Sequence, residues 1–173
     1  MLHPRSFVSA LLTIASIIIA DQISKWVILE YVMQDGARII PVTPFFNIVL
    51  VFNKGVSFGM FQAGSSAGTI ALVVLSLVIA LGLFWWLLET QTMFLRLTLA
   101  LIIGGAIGNM IDRIAIGAVV DFLDFHWGAA HFPAFNIADT AISIGAILLL
   151  AESLGIFKPK SPHSTDDQDR PHT

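Results

Sequence analysis

Four runs of about 20 apolar residues dominate the chain, and each is long enough for a helix to cross a hydrocarbon core. They lie at about 6–29, 68–88, 94–116 and 137–157. Backbone polar groups inside lipid must be satisfied within the segment or by a closed barrel, and unbroken runs of this length read as helices. Composition agrees, with 56% hydrophobic and only 12% charged residues, about half the charge of a soluble domain. No small-residue cleavage site follows the first run, so it reads as a retained span and not as a removable leader. The expected fold class is therefore an all-α polytopic membrane protein with four transmembrane helices.

The remaining composition excludes several function classes. A net charge of −3 without any basic run gives no footprint for nucleic acid. The absence of cysteine removes disulfides, thiolate metal sites, cysteine nucleophiles and lipidation on cysteine together. Four spans place both termini on one side. Arg5, Arg96, Lys158, Lys160 and Arg170 flank that side, against Lys25, Arg38, Lys54 and Arg113 on the other. The short loop before Arg96 and both tails carry the bias, which predicts cytoplasmic termini. The segment 158–173 is polar and proline-bearing and reads as a disordered cytoplasmic tail. Between the first two spans, "FFNIVLVFNKGVSFGM" alternates aromatic and β-branched residues around Asn53-Lys54-Gly55, a strand–turn–strand pattern on the outer side.

Polar residues inside the spans collect at one depth. Asp21 lies about 15 residues into the first span, roughly 22 Å along it, and Lys25 one turn further, where its long stem can snorkel outward. Asn109, Asp112 and Arg113 lie at the corresponding end of the third span, and Asn136 and Asp139 open the fourth. The opposite halves of the spans hold almost no ionisable groups, and the only candidate there is Glu152, close to the other surface. A transporter needs ionisable groups at mid-depth, reachable from both sides. A cluster at one interface suits an enzyme whose substrate straddles that interface.

Asp121 and Asp139 are the acids with most to offer. Asn136 and Asp139 also have the spacing of a helix capping box, and Asp121 in "VVDF" has the look of an ordinary loop acid. Brought together and shielded from water, however, two carboxylates share one proton, and one becomes base while the other becomes acid. "DQISK", Asp21 to Lys25, is equally an i,i+4 ion pair. Gly104-x-x-x-Gly108 is a helix-packing signal. His126 and His131 lack a third ligand at metal-site spacing, so no metal is expected.

Five blocks then converge: "DQISK" at 21–25, "NKGVSFG" at 53–59, "GGAIGNMIDR" at 104–113, "VVDF" at 119–122 and "FNIADT" at 135–140. In this order they resemble the lipoprotein signal peptidases, or signal peptidase II, which are bacterial membrane aspartic proteases. The resemblance implies a domain at 1–157 with four helices and a small β-rich cradle on the outer side, and a mobile outer helix within 123–132. It implies Asp121 and Asp139 as the catalytic pair, with Asp21, Lys25, Asn53, Gly55, Asn109, Arg113 and Asn136 binding substrate or supporting the site. The substrates would be diacylglyceryl-modified prolipoproteins, cut before the lipidated cysteine by a monomer in the bacterial inner membrane, among membrane lipids and without any cofactor. The competing class is a non-catalytic transport or assembly subunit whose polar cluster binds lipid or a partner.

Overall fold

The computed structural model describes residues 4–34, 36, 38–55 and 66–156. The chain runs α1 (Pro4–Val27), a π-helical extension (Ile28–Val32), β1 (Ile39–Thr43), β2 (Phe46–Asn53), α2 (Ser66–Glu89), α3 (Met93–Ile116), β3 (Val119–Trp127), β4 (Ala130–His131) and α4 (Ile137–Ser153). Three helical segments, Ser6–Val32, Ala67–Glu89 and Met93–Ile116, are long and apolar enough to cross a membrane. α3 lies at the centre and packs against α1, α2 and α4. α2 turns Val74, Val78, Leu81 and Trp85 outward, a face that an apolar surrounding accommodates and water does not.

Local signals set the helix ends. Thr92 caps α3, its hydroxyl accepting the Leu95 N–H at 3.3 Å, and Gly117 closes the helix in the left-handed region at φ 76°. Asn136 caps α4 through the expected capping box: its side chain accepts the Asp139 N–H at 2.9 Å, and the Asp139 carboxylate accepts the Asn136 N–H at 3.3 Å. At the far end of the bundle the buried Arg96 guanidinium donates to the Thr90 carbonyl at 2.6 Å and to the Ser6 hydroxyl, tying the α2–α3 turn to α1.

The helices approach closely where glycines permit it. A Cβ on Gly104 would lie 3.0 Å from Ile17 of α1, so Gly104 and Gly108 form the α1-facing seam their spacing predicts. Gly105 points the other way, and a Cβ there would overlap the Ala138 carbonyl of α4. One apolar cluster, Ala10, Leu87, Leu99, Ala100 and Ile103, fills the bundle. A second, Ile28, Met33 and Phe122, lies under an antiparallel sheet ordered β1-β2-β3-β4.

Several expectations change. The fourth apolar run, expected at 137–157, yields a helix of 17 residues that ends at Ser153, followed by Gly155 at φ 74°. At 1.5 Å per residue that is about 26 Å, short of a full hydrocarbon thickness. The outer helix expected within 123–132 is instead the end of β3, a turn at Gly128 (φ 59°) and β4. Alternation is the physical cause: Phe122 and Asp124 turn inward while Phe125 and Trp127 are exposed, a period of two that suits a strand. β1 was not anticipated, because Pro41 interrupts it; proline is tolerated at a sheet edge, and β1 is one. The strand expected after Gly55 and the tail at 158–173 lie outside the described residues.

The helix seam gives a direct test. Gly105→Ala should lower the thermal midpoint in detergent by an amount equivalent to about 1–3 kcal/mol of overpacking. Gly82→Ala, where an added Cβ meets nothing within 4 Å, should leave the midpoint unchanged or slightly raised.

Candidate active site

The polar residues of α1, α3, β3 and α4 form one connected network at the end of the bundle that carries the sheet. Its lowest layer is a buried charge cluster. Lys25 Nζ lies 2.7 Å from Asp21 Oδ2 and 2.8 Å from Asp112 Oδ2, and donates to Asn109 Oδ1 at 3.2 Å. All four side chains are buried. Lys25 therefore does not snorkel outward as its position near the helix end suggested; two carboxylates hold it inside. Gln22 completes the layer, its amide donating to Asp112 Oδ1 at 2.9 Å and to the Gly108 carbonyl at 3.2 Å.

Each carboxylate of this layer also holds a backbone. Asp21 Oδ1 accepts the Ala138 N–H at 3.0 Å, in the first turn of α4. Asp112 Oδ2 accepts the Val120 N–H at 3.1 Å, near the start of β3. Ala138 precedes Asp139, and Val120 precedes Asp121. The cluster thus fixes the two segments that present the upper acids, although those segments lie far apart in sequence.

The upper layer is built from asparagines. Asn136 Nδ2 donates to Asp121 Oδ1 at 2.8 Å, and the Asn136 backbone N–H donates to Asp139 Oδ2. One residue therefore holds both acids. Asn109 Nδ2 donates to Asp139 Oδ1 at 2.7 Å, while its Oδ1 accepts from Asn136 at 3.1 Å. Asn53 Nδ2 donates to Asp121 Oδ2 at 3.0 Å from the end of β2, and its own Oδ1 is fixed by the Gly55 N–H at 3.0 Å. Gly55 sits at φ 109°, which glycine adopts without strain, so its part is to aim Asn53. Arg113 is half-buried; Nη1 reaches the Asn109 carbonyl at 3.4 Å, and its charge acts on Asp139, Asp121 and Asp112.

Asp121 is buried. Burial pushes its carboxyl up to about 6, and the neighbouring Asp139 charge adds to the rise. Hydrogen bonds from Asn53 and Asn136 and the Lys25 charge pull the other way without reversing it. The contrast on the same strand is Asp124. Burial raises it too, but hydrogen bonds from Asn47 (2.8 Å) and His131 (3.0 Å) outweigh that and leave it below the ordinary value. His131 stacks on His126 with ring centroids 5.0 Å apart, so both histidines have a structural place in the hairpin.

All nine residues singled out in the sequence fall in or beside this network. The sequence places Asp112 at the common depth without assigning it a role, and Gln22 escapes the sequence reading altogether. Asp112 lies three residues from Asn109 and four from Gly108, on the face of α3 that meets α1, and that helical spacing was the available signal.

A largely buried polar cluster at one end of apolar helices, with two acids held by one asparagine through its side chain and its main chain, has the make-up of a membrane enzyme, and solved structures agree. One bacterial membrane enzyme matches with a TM-score of 0.74 at 28% identity, covering 91% of this chain and 94% of that one. A second matches with a TM-score of 0.72 at 30% identity over 87% and 93%. The model for signal peptidase (SPase) II matches residues 13–155. The lipoprotein signal peptidase of Burkholderia vietnamiensis is 44% identical over 139 residues, 80% of this chain and 82% of that protein. That of Polynucleobacter necessarius is 43% identical over 135 residues, 78% and 82%. The chain belongs to the signal peptidase II family.

The lower layer is testable without any substrate. Lys25→Met leaves two buried carboxylates without their cation and should cost about 3–5 kcal/mol, read as loss of folded protein or a sharply lower thermal midpoint in detergent.

Proposed function

We propose that this chain removes signal peptides from diacylglyceryl-modified prolipoproteins, cutting before the lipidated cysteine, as an aspartic endopeptidase with Asp121 and Asp139 as its acid pair. Family membership and the names of its relatives support the peptidase activity and disfavour the non-catalytic subunit. The observation that carries the aspartic type is the attachment of both carboxylates to Asn136. Two acids so placed favour a state with one shared proton.

The chemistry follows from that state. Asp121, raised by burial, carries the shared proton, and Asp139 is the base. Asp139 takes a proton from water, whose oxygen attacks the scissile carbonyl. Asp121 gives its proton to the carbonyl oxygen, forming a neutral tetrahedral diol. On collapse Asp139 returns its proton to the departing amine, and Asp121 recovers its own from the diol hydroxyl. Asn53, Asn109 and Asn136 hold the carboxylates in place throughout, so little reorganisation accompanies the proton transfers. A serine mechanism at Ser24 has less support, because its Oγ donates to the Asp21 carbonyl at 2.7 Å.

The substrate's extended segment meets a sheet edge. β2 is flanked by β1 and β3 as far as Leu50, whose N–H bonds the Arg38 carbonyl. Beyond it, Val51, Phe52 and Asn53 pair with β3 alone among the described residues and are exposed on their way to Asp121. A peptide laid on that edge is delivered to the acids by backbone pairing. In this reading α4 is the fourth span, tolerated at 17 residues by local bilayer thinning. Residues 1–157 then form one protease domain of a monomer in the inner membrane. Both termini and the tail at 158–173 are cytoplasmic, and the acids lie near the outer face.

Asp121→Asn and Asp139→Asn should each remain folded in detergent and lower the cleavage rate of a diacylglyceryl-modified precursor about 10²–10⁴-fold. Near-normal turnover of either variant overturns the pair. For the wild type, kcat/KM should fall as pH rises through about 6, where Asp121 loses the shared proton, and fall again at low pH as the pair takes up a second proton. The alkaline limb of kcat should lie higher, because bound peptide and lipid exclude water and disfavour the second charge further. A profile flat above pH 5 contradicts the assignment.

A further inference from the structure

A groove of about 370 Å³ opens between the start of α2 and the end of α3, next to Lys54 at the end of β2. It is lined by Lys54, Thr69, Ile70, Arg113, Ile114, Ile116 and Gly117. Two cations and a hydroxyl line it, and no carboxylate does among the described residues. Neither Lys54 nor Arg113 forms a salt bridge among the described residues. Arg113 is half-buried, and its Nη1 makes a long hydrogen bond of 3.4 Å to the Asn109 carbonyl. The catalytic scheme above uses neither Lys54 nor Arg113.

The apolar part of the lining is equally informative. Ile70, Ile114 and Ile116 are 61%, 67% and 52% exposed, on the outward surfaces of two helices long and apolar enough to span a membrane. The groove therefore stacks a cationic notch on an outward apolar surface at the end of the bundle. A soluble anion uses only the notch. A molecule with an anionic phosphodiester head and hydrocarbon tails uses both, with the phosphate between the ammonium and the guanidinium and the acyl chains along the isoleucines. Arginine offers the planar, multi-donor geometry that phosphate oxygens match, and each basic residue near a membrane surface adds to the attraction for anionic lipid.

We propose that the Lys54–Arg113 groove binds one anionic phospholipid of the adjacent leaflet, head between the two cations and chains along Ile70, Ile114 and Ile116. This goes beyond the peptidase reaction and does not depend on it. Arg113 then serves two anions, the acid pair on one side and the lipid phosphate on the other, which places a bound lipid within electrostatic reach of Asp139 and Asp121.

Detergent-purified protein would be mixed with dioleoylphosphatidylglycerol or dioleoylphosphatidylcholine, and retained lipid counted by native mass spectrometry. The wild type should retain one phosphatidylglycerol in preference to phosphatidylcholine. Lys54→Gln should retain about fivefold less, and Lys54→Arg should restore it. Inorganic phosphate at the same concentration should not displace the lipid. Equal retention of the two lipids by the wild type overturns the proposal without reference to any variant. Unchanged retention by Lys54→Gln, or displacement by inorganic phosphate, overturns it as well, the latter by making the groove a simple anion pocket. Since no outcome is read from cleavage, failure here and failure of the peptidase assignment are separate results.

Discussion

A single buried ammonium group underlies the site. Lys25 is 3% exposed, and a lone cation so placed carries a desolvation cost of several kcal/mol. Asp21 and Asp112 offset it at 2.7 and 2.8 Å. Neither carboxylate is spent on Lys25 alone. Each uses its remaining acceptor capacity on a backbone N–H, one at the head of α4 and one near the start of β3. Remove the cation and both anchors become unpaired buried charges, so the register of two distant segments depends on one side chain of α1.

Above that base the structure changes from charge to amide. Asparagine is suited to the role because its two donors and its acceptor point in different directions. Asn136 uses this fully: its oxygen begins α4, its amide reaches Asp121, the Val120 carbonyl and Asn109, and its main chain reaches Asp139. The same hydrogen bonds that begin a helix therefore also space the acids. Such a ring holds its members before any ligand arrives, which is the condition for electrostatic preorganisation.

The sequence shows the helical part of this plainly because the signal is local. Runs of apolar residues, the Gly104–Gly108 spacing and the Asn136–Asp139 box each lie within one helix, and α1, α2 and α3 appear within a few residues of their expected bounds. The sheet was legible only in part. β2 announced itself by composition, whereas β1 was hidden by Pro41, and 123–132 was assigned to a helix although its alternation favours a strand. In the site, the residue types and their common depth were visible, but the partnerships were not. Lys25 meets Asn109 across 84 residues and Asp21 meets Ala138 across 117. No periodicity reports such contacts, so Asp112, visible at the right depth, gives no sign in the sequence of its partners on α1 and β3.

The i,i+4 spacing of Asp21 and Lys25 has a consequence for biosynthesis. α1 emerges from the ribosome long before α3 is made, so Asp112 and Asn109 do not yet exist when the first span must leave water. An ion pair closed within one helical turn travels with its own counter-ion, and the nascent segment enters the bilayer as a nearly neutral rod. The later helices then inherit a charge that has already been carried in, and α3 closes on an ion pair that α1 has already formed.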